Sequence, residues 1–517
     1  MMKTFKSMAA LILASILIFL AACSGSNTGS GGRAGNGGDP GVQGTAGEQG
    51  ERTAEKPTEI NILTDFTIAQ PPAPDNPVLK EIEKRTNTKL NITWVTGPDY
   101  NDRQNVVLAS GDLPDLMKLT DMTVPQFQTM VKQGAFWDLT PFLKDYKHLM
   151  EYPKIVWDST TIDGKNYVVP IVRPLNGFAF PAIRKDWLDK LGLEVPETMD
   201  ELYEVMKAFK EHMPDGKKDT YGYTMRADFI ENIFNASNGK WKLVDGKLVD
   251  VTLEPGTREA ILYRKKLYDE GLIPPDFAVM KEDQFWDLAT SGRAGVTSET
   301  IEALWRWTYD QWKRNPEVDW LPLVSLAASH GPFVPQYRGY IGVVAIPKKV
   351  PEEKVRKILS LLDFGASEEG GTLALYGIEG IHYTLEDGFY VTTEQAVKDS
   401  VGVGAFGKIF MRYDPYMYAF APGMPKEIFE RNKTIIDERA KISVPDPSVG
   451  LVSETNIRVG ADYTKKINDL KTQIIMGKAD IGAWDQFVNE LKQDANYQKI
   501  IAEMNAAYQE RVSNIMN

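Results

Sequence analysis

The body of this sequence predicts an α/β fold, on three observations. Alternating strands and amphipathic helices begin at Glu59, and the same style starts again near Ile183. Roughly 460 residues follow Pro57, enough for two full-sized cores. The first strand, "EINILTDF" (Glu59 to Phe66), sets Ile60 and Ile62 between polar neighbours. "PVLKEIEKRTN" follows as a helix opened by Pro77, a residue tolerated in the first turn. The strand "LNITWV", a helical stretch through "DRQNVVLAS" and the apolar run "PDLMKL" come next. Strands alternating with helices need crossovers, which make a largely parallel sheet.

Between Ile183 and Glu270 the helices are stronger. In "ETMDELYEVMKAFK", Leu202, Val205, Met206 and Phe209 share one helical face, and Thr198 with Glu201 makes a capping box. A second helix runs from about Thr257 to Glu270, with Gly271 as a left-handed stop. The C-terminal part reads as mostly helical, with Trp484, Phe487, Val488 and Leu491 on one core-facing stripe.

Ahead of the body stand Lys3, Lys6, the apolar run Met8 to Ala22 and then Cys23. A charged start followed by a short apolar run is the layout of a signal peptide, over residues 1–22. The run falls short of the about 20 apolar residues that span a membrane, which disfavours an uncleaved anchor helix. Residues 23–56 are rich in Gly, Ser and Thr and bury too little to offset ordering entropy, so they read as a flexible tether. Cys23 is the single cysteine of 517 residues, which leaves the body without disulfide or thiol chemistry.

The formal charge is −12, and no basic cluster is longer than "YRKK" at Tyr263 to Lys266. That excludes nucleic acid and polyanionic membrane surfaces as partners. Aromatic residues make up 10% of the chain, with 11 Trp, and point to a ligand that favours flat apolar faces.

Two resemblances sharpen this reading. "LAAC" (Leu20 to Cys23) resembles the lipobox of bacterial lipoproteins, which implies palmitate or a similar acyl chain on Cys23 and an extracytoplasmic, membrane-anchored protein. "ASGDLPDLMKL", "DGKNYVVP", "IRKDWLDKLGLEVPETMDEL", "EGLIPPDFA", "YGIEGIHYT" and "IIMGKADIGAWDQFV" occur in that order and together resemble the extracellular solute-binding proteins, family 1. The resemblance is closest to lipoproteins that serve oligosaccharide importers. It implies a two-lobed periplasmic-binding-protein-like fold, hinged between lobes, with a mostly helical C-terminal part. The first lobe would hold residues 57–170 and 337–366, and the second 171–336 and 367–517. It also implies a monomeric receptor, without cofactor or bound metal and not an enzyme, that closes on a glycan and hands it to an ABC permease. A surface glycoside hydrolase or lyase, and a ligand-sensing lipoprotein, are the alternatives.

A sugar ring has an apolar C–H face and a rim of hydroxyls, so its receptor needs aromatic platforms edged by charged or amide groups. "TSETIEALWRWTYDQW" places Trp305, Trp307 and Trp312 near Glu299. Trp305 and Trp312 are seven apart and fit a helix core stripe equally well. Ligands of open α/β sheets bind beyond the carboxyl ends of strands. There the candidates are Asp65 and Phe66, Thr120 and Asp121, and Arg173 at the expected hinge, with Arg184, Tyr337 and Arg338 at the lobe junction. A structural ion pair or a solvated surface role competes with each. The two arginines near the hinge would tolerate acidic sugars.

Other motifs are weaker. "EHMPDGKKDTYG" (Glu211 to Gly222) falls where several family members carry a calcium loop, and Gly216, Asp215 and Asp219 fit the loop pattern. Met213 and Gly222 occupy positions that need oxygen ligands, which favours a plain polar turn. "SVGVGAFGKIF" (Ser400 to Phe410) matches both a dinucleotide fingerprint and a phosphate-loop core. Ile409 stands where a phosphate loop needs Ser or Thr, and Pro415, Pro422 and Pro425 break the helix a dinucleotide site requires. The stretch therefore reads as a glycine-rich loop of the second lobe. The four His, 148, 212, 330 and 382, form no close-spaced ligand pair, and His382 reads as a structural or cleft residue.

Overall fold

The computed structural model describes residues 56–224, 229–386 and 388–516. The signal peptide, Cys23 and the tether up to residue 55 lie outside the described residues. The described residues from 56 onward form one compact unit whose two larger sheets have five and four strands. Among the described residues no helix is long and apolar enough to cross a membrane.

The first sheet has five strands, in the order Thr88–Thr96, Thr58–Phe66, Leu116–Leu119, Tyr340–Ala345 and Val168–Val172. The first three run parallel, and Tyr340–Ala345 is antiparallel to both neighbours. Leu116–Leu119 and Val168–Val172 are buried throughout, as strands covered on both faces must be. The helix Pro77–Thr86 that crosses between the first two strands starts because Asn76 accepts from Val78 N and Leu79 N, and stops at left-handed Asn87.

The second sheet departs from the expected parallel style. Its order is Trp320–Pro322, Phe180–Arg184, Ala294–Glu299 and Tyr221–Tyr223, and only the last pair is parallel. Two of its three pairings join segments more than a hundred residues apart, as with Phe180 opposite Glu299, and local periodicity carries no such information. The capping box forms as read: Thr198 accepts from Glu201 N at the start of Met199–His212.

Two hydrophobic cores follow from the two sheets. The second gathers Phe180, Trp187, Phe209, Tyr223 and Phe333. The first collects Ile60, Leu116, Val169, Val343 and Leu359, and continues past Ala366 through Leu373, Phe406, Phe410 and Met411. The apolar residues of the glycine-rich stretch thus pack in the core of the first sheet. Phe406 and Phe410 are buried there, with Trp94 edge-on to Phe406 at 6.1 Å. The chain passes between cores at residues 173–179 and 335–339, which hydrogen-bond to each other: Arg173 N to Gly339 O and Tyr337 N to Leu175 O, both 2.7 Å. The C-terminal helices Glu454–Ile475, Ile481–Gln493 and Ala495–Met516 pack around Ile474, Trp484, Leu491 and Tyr497.

Candidate functional site

A cavity of about 490 Å³ opens where the two connecting segments meet the carboxyl ends of the sheets. The first lobe contributes Asp121 and Thr123 from the loop after Leu116–Leu119. The second contributes Ser298 at the end of its strand and Asn232 on the helix Phe229–Asn235. The connections supply Phe178, Gln336, Tyr337 and Arg338, and a later loop adds Asp446 and Ser448.

Phe178 and Tyr337 stack at 3.9 Å with an interplanar angle of 13°, a flat apolar wall made of one ring from each connection. Asp121 is held twice: its Oδ1 accepts from Thr123 N and Oγ1, each at 2.9 Å, and its Oδ2 pairs with Arg338. Arg338 also donates from Nε to Tyr340 O at 2.9 Å and lies 4.6 Å over the Tyr340 ring. Asp446 accepts from Ser448 N at 2.8 Å and Ser448 Oγ at 2.6 Å, yet burial pushes its carboxyl up. Gln336 Oε1 and Tyr340 Oη are buried without a hydrogen-bond partner. Unpaired buried polar atoms are costly, and Gln336, which lines the cavity, offers one that a polar ligand would satisfy. This wall, with its amide, hydroxyl and carboxylate rim, suits a ring with an apolar face and polar edges.

Of the residues singled out from sequence, Asp121, Tyr337 and Arg338 come together in this cavity. Asp65 and Arg173 lie deeper. Asp65 is buried between Lys118 and Lys408, and Arg173 donates to the carbonyls of Val172 and Gly407. Phe66 ends its strand, with its carbonyl taken by Gly97 N, and Thr120 N donates to Gln104 Oε1. Glu299 accepts from Thr300 N at 2.7 Å beside the start of a helix. None of these five lines the cavity.

Three residues have other roles. Arg184 is fully buried in ion pairs with Asp186 at 2.6 Å and Asp215 at 3.1 Å, so it holds the second lobe together. Trp305 is 8% exposed and packs with Ala421 and Met424, because the helix Ile301–Arg314 turns that face inward. Trp307 is 49% exposed and stacks on Trp286 at 5.4 Å, in a surface depression separate from the cavity. In the suspected calcium loop, Asp215 is bound to Arg184 and Lys190, and Asp219 to Arg293. His382 is buried, with Nδ1 accepting from Ile378 N and Nε2 against Asp399.

Sequence reading missed Phe178, Asn232, Asn238, Gln336 and Asp446. One signal was present: Gly177 and Gly239, with φ of 85° and 96°, mark the sharp turns that carry Phe178 and Asn238 to the cavity.

The family model for bacterial extracellular solute-binding proteins matches residues 65–372, which include the second sheet and both connections. The chain belongs to this family of solute-binding proteins. Among its relatives, lipoprotein LipO of Bacillus subtilis (strain 168) is 33% identical over 470 residues, covering 87% of this chain and 92% of the relative. The polygalacturonan/rhamnogalacturonan-binding protein YtcQ of the same strain is 32% identical over 462 residues, covering 84% and 89%. Neither name is that of an enzyme. A solved solute-binding protein of Bifidobacterium longum infantis ATCC 15697, described as binding HMO and associated with an ABC transporter, superposes with a TM-score of 0.69. It is 19% identical and covers 88% of this chain and 99% of its own, which shows the shared two-lobed fold. The family places this solute-binding protein outside the cytoplasm.

Proposed function

We propose that this solute-binding protein captures an oligosaccharide between its lobes and delivers it to an ABC permease, held at the cell membrane by lipid on Cys23. The observation that carries the reading is the Phe178–Tyr337 wall in a cavity whose polar lining includes Gln336, with its buried, unpaired Oε1. The names of its relatives, which include a polygalacturonan/rhamnogalacturonan-binding protein, support the same ligand class. Residues 173–179 and 335–339 act as the hinge. A glycan that touches both lobes favours the closed state, because only that state makes both sets of contacts.

Thermal melting against a panel of oligosaccharides and peptides tests this. A ligand at 100 times its dissociation constant adds about 2.7 kcal/mol of stability. A melt moved by peptides and by no glycan would remove the carbohydrate reading. Tyr337→Ala is expected to weaken glycan binding about tenfold or more by titration calorimetry, since it removes one ring of the stacked wall and one aromatic burial is worth about 1.5–3 kcal/mol. Cys23→Ser is expected to move the protein from the membrane fraction into the medium. Retention at the membrane would instead mark residues 8–22 as an uncleaved anchor.

A further inference from the structure

A second chamber, of about 370 Å³, adjoins the cavity and shares Thr123, Asp446, Ser448 and Leu451 with it. Its far side is made by Lys240 and Trp241, at the start of the strand Trp241–Val244, and by Asn456 and Ile457 on the helix Glu454–Ile475. Asp446 stands at the boundary. Ser448 N and Oγ occupy one of its carboxylate oxygens, Oδ1. The other, Oδ2, lies against the turn of residues 238–241, where a Cβ on Gly239 would meet it at 3.4 Å. Asn238, before that glycine, lines the first cavity, and Lys240 and Trp241, after it, line the second chamber. With φ of 96°, Gly239 makes the sharp turn that divides the two. A carboxylate at such a boundary is an acceptor for the hydroxyls of a ring lying across it.

The second chamber has the chemistry of a sugar subsite. Trp241 is 5% exposed and locked against Leu248, Ile500 and Met504, which makes it a fixed apolar wall. Beside it Lys240 Nζ pairs with Asp250 at 3.4 Å, and an ammonium with three donors keeps others for a ligand. Exposed Asn456 adds an amide. A third space, of about 340 Å³, also adjoins the cavity, at Gly450 and Leu451, between residues 158–164 and the last helix. No aromatic ring lines it, and its Lys154 and Asp158 are paired with each other at 2.7 Å. A ligand made of rings with apolar faces therefore continues on the Trp241 side.

We propose that the cleft runs on past Asp446 into a second ligand chamber lined by Lys240, Trp241 and Asn456, and that the captured glycan is longer than a disaccharide, with Asp446 accepting from hydroxyls of the unit at the boundary. This rests on the carbohydrate reading and narrows it. Each chamber alone falls within the size of a small-molecule site, about 300–1,000 Å³, so a ligand that fills the first leaves the second for further units.

The test is calorimetric titration of the full chain in detergent with di-, tetra- and hexasaccharides prepared from xylan, galactan and galacturonan. In whichever series binds, the hexasaccharide is expected to bind about tenfold tighter than the disaccharide, or more. Ile457→Trp narrows the chamber from a half-exposed helix position, and Lys240→Met removes its charged donor. Each should bring the ratio of the two affinities towards one. A hexasaccharide that binds no tighter than the disaccharide overturns the second chamber and leaves the carbohydrate reading standing. A gain with length that survives both variants overturns it too, and its loss in Asn514→Trp instead would put the extra units in the space beside the last helix. If no glycan of any length binds, both readings fall.

Discussion

Arg184→Met is expected to destabilise the protein by about 3–5 kcal/mol, the range for breaking a buried pair from one side. Arg184 is fully buried, and its guanidinium lies 4.6 Å from the Trp187 ring and 5.8 Å from Trp320 while it binds Asp186 and Asp215. Removing it leaves the Asp186 carboxylate nearly buried with no counter-charge, and the Coulomb term that offset its desolvation is gone. The Met side chain refills part of the volume, so the loss is chiefly electrostatic. Guanidinium unfolding measures it, and adding Asp186→Asn should recover part of the loss, since two neutral partners no longer leave an orphaned charge. A stability loss below about 1 kcal/mol combined with lost glycan binding would return Arg184 to the ligand site.

Arg184 also shows where sequence reading stops. It stands at the end of a strand beside the lobe junction, which is where a ligand donor belongs, and nothing in "AIRKDW" reveals that Asp215, 31 residues on, folds back to it. Position along the strand was legible, but the identity of the partner was not. Asp121, Tyr337 and Arg338 were legible because strand ends and connections are the places a two-sheet fold opens to ligands. Asn232, Asn238 and Gln336 were not, because a cleft amide and a turn amide are written with the same letters.

The fold divides along the same line. The helix Met199–His212, with its capping box, and the first parallel strands follow local period, and they appear as read. The second sheet pairs strands far apart in sequence, and the first core draws in Phe406 and Phe410 from a stretch whose glycines suggested a loop. There the glycines serve close backbone contact and the phenylalanines serve burial, two functions interleaved without a period.

Trp305→Ala is expected to cost about 3–5 kcal/mol of stability, the range for removing a large buried aromatic side chain. The ring packs on Ala421 and Met424 and lies 5.2 Å from Trp312 and 6.0 Å from Tyr309, so deletion opens a hole between the helix Ile301–Arg314 and the segment that follows Phe420. Trp305 Nε1 is buried without an acceptor, so the packing and not a polar contact holds the residue in place. Trp305→Phe should therefore retain most of the stability: it keeps an aromatic ring in the hole and removes an unpaired donor. Unfolding curves for the two variants, with glycan affinity measured well below either transition, separate the roles. A core residue lowers the transition and leaves affinity unchanged, whereas a stacking residue would lower affinity in the Ala variant with the transition in place.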